Sequence, residues 1–187
     1  MKRKKLRDRT HALASIDLAR LQALDIQGII LDLDNTIVSE DDRYLSPHAE
    51  DWIARAKHLG FKFFLLSNGK RRYRVKYWSS RLEMQALSPA RKPFPFSLRK
   101  AIECMKIQPD RAIAIGDSFH TDILGAWLCG CHSIQVTTLP HPPRWWEKWL
   151  GHWIQIPYPR DRELWLVEPT LYDADFSDPM TPPKIEN

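Results

Sequence analysis

The sequence predicts an α/β protein: a doubly wound, Rossmann-like parallel sheet with helices on both faces and no large cap domain. Three observations lead there. Short apolar runs at 29–33, 61–66 and 112–115 have the length and flanks of strands buried on both sides. Segments with helical spacing separate them, so strands alternate with helices. A polar cluster follows each run, at the carboxyl end where such sheets hold their ligands.

Taken in order, residues 15–25 place Leu18, Leu21 and Leu24 at helical spacing, with Ser15 as the expected N-cap. Gly28 breaks that pattern and the first apolar strand begins. Ser46-Pro47 opens a second helix holding Trp52, Ile53, Ala56 and Leu59, ended by Gly60. The strand at 61–66 closes in Ser67-Asn68-Gly69, and a basic helix is expected over about 71–82. Its run from Lys70 to Lys76 reads as a solvated face. Ala86 and Leu87 start a short strand, 97–105 reads as helix, and 112–115 runs into Gly116-Asp117-Ser118. A helix over 121–128 ends near Gly130, and a last strand is expected at 133–136.

A chain of 187 residues, 43% hydrophobic and 27% charged, suits one domain with an extension. The expected divisions are a basic arm at 1–14, a catalytic domain at 15–138, a Trp-rich helix at 139–156 and a Pro-rich tail at 157–187. The net charge of +5 favours anionic partners. The arm reads as solvated, and no apolar run follows it to make a signal peptide. Nor does any apolar stretch reach spanning length. Three cysteines (Cys104, Cys129, Cys131) without zinc-ligand spacing are expected to be reduced, buried and structural.

The chemistry starts at Asp32-Leu33-Asp34. Side chains alternate along a strand, so two acids two residues apart are expected on one side of it. Such repulsion is costly unless a cation or a reaction uses it. Asp32 can attack phosphorus to give an aspartyl-phosphate, while Asp34 protonates the leaving oxygen and then deprotonates water. Asp32, Asp34 and Asp117 can hold Mg2+, a hard cation that prefers oxygen. Ser67 offers a hydroxyl and Asn68 a backbone N–H to phosphoryl oxygens, and Lys92 offsets the negative charge. His120 is expected to be an exposed neighbour rather than a catalytic group.

Four motifs in order resemble those of the haloacid dehalogenase (HAD) superfamily: Asp32-Leu33-Asp34-Asn35-Thr36, Leu65-Leu66-Ser67-Asn68, Arg91-Lys92-Pro93 and Gly116-Asp117 through Asp122. In detail they are similar to the YqeG-like group of subclass IIIA, which includes phosphatidylglycerophosphatases. The resemblance implies that Asp32 is the nucleophile and Asp34 the acid/base. It makes Asp117 a metal ligand, joined by the Asp34 backbone carbonyl, and gives Asp122 the task of orienting Lys92 or the metal's water shell. Thr36, Ser67, Asn68 and Lys92 are then the expected substrate contacts.

The segment from Arg144 to Ile154 separates Trp145, Trp146, Trp149, Leu150, Trp153 and Ile154 from Arg144, Glu147, Lys148 and His152 on a helical wheel. Such a helix either packs on its own sheet or lies in a membrane interface. The lipid-phosphatase resemblance favours the second, which implies a cytoplasmic enzyme, peripheral on the inner face of a membrane, acting on an anionic phospholipid. A soluble phosphomonoester is the alternative substrate. No nucleic acid partner is expected, since a basic, non-enzymatic binding module would leave four ordered motifs unexplained.

Overall fold

The computed structural model describes residues 5–143, 145 and 147–167. In chain order these form β1 (Arg7–Thr10), α1 (Leu18–Ala23), β2 (Gly28–Asp32), β3 (Tyr44–Leu45), α2 (Ala49–His58), β4 (Lys62–Leu66), α3 (Arg72–Arg81) and β5 (Gln85–Leu87). There follow α4 (Pro95–Met105), β6 (Ala112–Gly116), a π-helical turn (Phe119–Ile123), α5 (Leu124–Cys129), β7 (His132–Thr138), α6 (Glu147–Ile154), β8 (Ile156–Pro157) and β9 (Trp165–Leu166).

The main sheet is parallel, in the order β1-β7-β6-β2-β4-β5, with β8 also joined to β7. From β2 the chain winds outward through β4 and β5, then returns to β6 on the other side of β2. The crevice between the ends of β2 and β6 is therefore the topological switch point, where open α/β sheets bind ligands. Asp32 ends one of these strands and Asp117 follows the other.

Alternation divides the core into two layers. Ile29, Leu31, Phe63, Leu65, Ile113 and Ile115 pack against Leu21, Trp52, Ile53, Val75 and Trp78, from α1, α2 and α3. Ile30, Phe64, Leu66, Ala112 and Ala114 pack against Leu98, Ala101, Ile102 and Ala126, from α4 and α5. Both faces are covered, which explains why the strands read as continuous apolar runs.

Several boundaries differ from expectation. The basic arm is not wholly solvated, because Arg7–Thr10 pairs with β7 and Leu13 is fully buried; its first four residues lie outside the described ones. The first helix starts later, capped by Asp17, whose carboxylate accepts the Ala19 N–H at 2.9 Å. Helix α4 starts earlier, since Pro95 suits a first turn. Of the cysteines, Cys131 is buried, Cys129 half-buried and Cys104 exposed.

The expected tail is folded where it is described. β9 pairs antiparallel with β3, and Trp165 meets His48 edge-on with ring centroids 4.6 Å apart. The rest of that tail, from residue 168, lies outside the described residues.

Candidate active site

Lys92 is the centre of the site. Its ammonium donates to Asp32 Oδ1 at 2.5 Å, to Asp122 Oδ1 at 2.6 Å and to the Leu66 carbonyl at 3.1 Å. All three side chains are buried. Asn68 fixes the lysine's backbone by a reciprocal pair, accepting the Lys92 N–H at 2.8 Å and donating to its carbonyl at 3.0 Å. Asn68 is thus a brace for the lysine loop as well as a wall of the cleft.

Thr36 ties the two strand ends together. Its hydroxyl donates to Asp32 Oδ2 at 3.3 Å and accepts the Asp117 N–H at 3.0 Å. That hydroxyl, expected to meet substrate, is engaged within the protein. The second oxygen of Asp122 accepts from Thr121 Oγ1 at 3.1 Å and the Ser118 N–H at 3.2 Å. A π-helical turn, often found at functional sites, carries Asp122 back over the strand end. Gly116 makes room for it: a Cβ there would lie 2.3 Å from the Asp122 carboxyl carbon.

The two acids of the first motif part company. β2 ends at Asp32, so strand alternation does not extend to Asp34. The Asp34 carboxylate accepts from Ser67 Oγ at 2.6 Å and from the Arg74 guanidinium. Ser67 in turn accepts the Gly69 N–H at 2.9 Å, and a Cβ on Gly69 would crowd both Ser67 Oγ (3.0 Å) and Asp34 Oδ2 (3.2 Å).

Among the described residues, the carboxylates close enough to share an ion, within 4.8 Å of one another, are Asp32, Asp117 and Asp122. This corrects the expected set, in which the Asp34 side chain stood in place of Asp122. Burial pushes the Asp32 carboxyl well above its ordinary range; Lys92 opposes that, while Asp122, Asp34 and Asp117 add to it. Burial and the nearby Asp122 raise Asp117 to about 7. Burial alone would lower Lys92, but Asp122 and Asp32 override it and hold the ammonium above its ordinary value. Three buried carboxylates against one ammonium leave an excess of negative charge that a cation would relieve. The donor set is all oxygen, which fits a hard divalent ion.

The cleft over these groups is about 160 Å³, walled by Asp32, Asp34, Asn68, Lys92, Asp117 and Gln155 among others. His120 is half-buried and lines it, with Nδ1 2.8 Å from Ser118 Oγ, where an exposed side chain was expected. Two residues escaped the sequence reading. Gln155, just after α6, donates to Asp117 Oδ2 at 3.0 Å, and no spacing signal marks it. Arg74 was assigned to a solvated helix face but is 2% exposed. Its spacing from Val75 and Trp78, the buried stripe of α3, could have revealed it.

A small polar cleft at the switch point of a parallel sheet suits a hydrolase that acts on a compact charged group. Comparison with known proteins agrees. A family model described as HAD-hydrolase-like matches residues 89–150. The "Probable phosphatase YqeG" of Bacillus subtilis is 35% identical over 117 residues, spanning 63% of this chain and 67% of that protein. Two solved structures share the fold. A Streptomyces avermitilis protein assigned to the HAD hydrolases has a TM-score of 0.51 at 19% identity, covering 70% of this chain and 75% of that one. The cobalt-bound deoxy-D-mannose-octulosonate 8-phosphate phosphatase of Haemophilus influenzae has a TM-score of 0.50 at 13% identity, covering 61% and 70%. The chain belongs to the HAD-hydrolase-like family and is an enzyme of its phosphatase type.

Proposed function

We propose that this enzyme is a Mg2+-dependent phosphatase of an anionic phospholipid, phosphatidylglycerophosphate, and works through an aspartyl-phosphate at a membrane surface. The observation that carries the lipid reading is α6. Trp149 and Trp153 on it, with Trp145 just before, are 78%, 74% and 80% exposed, and Leu150 is 52% exposed. Packing of this helix as core, which the soluble-substrate alternative requires, would bury them. Tryptophan settles at headgroup depth, and the exposed Lys148 and net charge of +5 suit anionic lipid. Helix α6 leads straight into Gln155 and so to Asp117, and a bilayer meeting it lies near the mouth of the cleft. A cleft of about 160 Å³ takes a phosphoryl group and leaves the rest of a lipid outside. Trp146 and the side chain of His152 lie outside the described residues. Among the described residues no helix is long and apolar enough to cross a membrane, which is compatible with peripheral attachment to the inner, cytoplasmic face.

Asp32 Oδ2 attacks phosphorus, the bond to the leaving oxygen breaks, and Asp34 gives that oxygen a proton. Asp34 then takes a proton from the water that releases phosphate from Asp32. Lys92 stays beside the attacking carboxylate and neutralises charge throughout. Asp32 and Asp117, with the neighbouring Asp122 carboxylate and the expected Asp34 carbonyl, would hold Mg2+, which would supply charge neutralisation to the reaction. Asp122 keeps Lys92 in place and Asn68 walls the cleft where the phosphoryl group enters, whereas Ser67, expected to meet substrate, is fully buried and spends its hydroxyl on Asp34.

With phosphatidylglycerophosphate in anionic vesicles, phosphate release is expected to exceed that from sugar phosphates or nucleotides by about 100-fold or more in kcat/KM. Replacing Trp145, Trp149 and Trp153 together by Ser should lower the vesicle rate about tenfold or more while sparing p-nitrophenyl phosphate. Equal rates on soluble and lipid substrates would leave the soluble phosphomonoester as the answer.

Proton and metal compete for Asp117. Because folding raises its pKa from 3.8 to about 7, the folded chain keeps a proton that the unfolded chain releases. Metal-free protein therefore loses stability as pH rises across that window. Mg2+ must displace the proton, so its affinity should weaken about tenfold per pH unit below about 7 and level off above. Calorimetric titration on either side of neutrality reads this, and a flat affinity would remove Asp117 from the ligand set.

A further inference from the structure

Arg74 is buried in α3 and uses its whole guanidinium. One nitrogen, Nη1, donates to Asp34 Oδ1; Nε donates to Asp42 Oδ1 at 2.5 Å; Nη2 donates to the Ser39 carbonyl at 2.8 Å. Arg71, one turn earlier, donates from Nη1 to the other Asp42 oxygen at 2.9 Å. The segment between Asp34 and Tyr44 is thereby closed onto α3. It turns at Asn35 and Asp42, whose φ values are +61° and +60°. Such conformations persist where the surroundings hold them.

A planar guanidinium differs from a point charge: its donors lie in a fixed fork, so a partner's position fixes the partner's orientation. Asp34 feels this doubly. Oδ1 is held by Arg74 and Oδ2 by Ser67 Oγ at 2.6 Å, so the carboxylate cannot rotate without breaking its ion pair with a buried guanidinium. Loop closure alone would need only the carbonyls and Asp42. The extra contact falls on the one carboxylate that the proposed chemistry uses to move protons.

We infer that Arg74, backed by Asp42, is a positioning residue that aims the Asp34 carboxylate at the leaving oxygen. This rests on the reading of Asp34 as the acid/base. A positioned proton donor matters most when the leaving group is a poor one. An alkoxide must be protonated as the P–O bond breaks, whereas p-nitrophenolate leaves as the anion. A role confined to folding would lower turnover of both substrates alike.

The test compares wild type, Arg74→Lys and Asp42→Asn on p-nitrophenyl phosphate and on glycerol 1-phosphate, an alkyl ester, with melting curves to check folding. Wild-type turnover reports on the phosphatase reading, and the ratio of the two substrates within each variant reports on Arg74. With Arg74→Lys, kcat on the alkyl ester should fall about 100-fold and on the aryl ester about threefold. Asp42→Asn should show the same bias to a smaller degree. In an Asp34→Asn background, Arg74→Lys should add no further bias, because it acts through that carboxylate. Equal losses on both substrates in folded Arg74→Lys would overturn the inference. Where that variant does not fold, equal losses in Asp42→Asn would do the same.

Discussion

Asp32→Asn is expected to stop phosphate release, by about 10⁴-fold or more, while leaving the protein folded. The amide cannot attack phosphorus, so no residual covalent route remains. The fold should tolerate it well. Asn has the shape of Asp and keeps an oxygen that can accept from Lys92 or Thr36, the two donors that Asp32 meets now. It also removes one negative charge from a cluster where three buried carboxylates face one ammonium. The melting temperature of the metal-free variant should equal or exceed that of wild type, because the charge removed is one that burial penalises. Turnover within tenfold of wild type would exclude Asp32 as nucleophile, and a collapsed melting transition would show that its charge is structural.

The winding of the sheet could be read from the chain because its strands are covered on both faces. Full burial demands unbroken apolar runs, and Ile29–Leu31, Phe63–Leu66 and Ala112–Ile115 supply them. The same property hid β1. Arg7–Thr10 alternates exposed and half-buried positions at a sheet edge, and charged residues there protect an edge from mispairing. Its basic composition therefore looks like that of a solvated arm. Similarly β9 has only two residues, and its pairing with β3 spans more than 100 positions in sequence, beyond any local pattern.

The site shows a parallel division. Asp32, Lys92 and Asp117 were legible because each follows a strand, and a parallel sheet brings strand ends together. The contact of Asp122 with Lys92 was expected from the resemblance and is present, but its closeness to Asp32 and Asp117, with the Asp34 side chain turned to Ser67 and Arg74, was not legible. It depends on where β2 stops and on a π-helical turn that swings Asp122 toward Lys92. Both are local backbone choices that periodicity does not encode. Arg74 was misjudged for a chemical reason: a basic run is usually solvated, and burial of one member becomes favourable only once Asp34 and Asp42 meet it from another part of the chain.

Lys92→Met tests how that site is held together, and its largest effect should be on stability. Removing one partner of a buried ion pair typically costs 3–5 kcal/mol, about 10 °C in melting temperature for a domain of this size. Here two buried carboxylates, Asp32 and Asp122, lose the same cation. Asp32, whose pKa burial already raises and Lys92 opposes, would answer by taking up a proton, so it would titrate higher still in the folded variant than in the unfolded chain. A raised carboxyl pKa contributes stability at low pH that is lost as pH rises. The deficit should therefore be small near pH 4 and grow toward pH 7, the reverse of ordinary acid unfolding. Divalent metal should recover part of it by standing in for the missing charge, although catalysis should stay low because the ammonium beside the attacking carboxylate is gone. Urea unfolding at several pH values, with and without Mg2+, measures both trends. A deficit independent of pH and metal would mean that Lys92 stabilises the fold by packing its methylene chain, with its charge of little account.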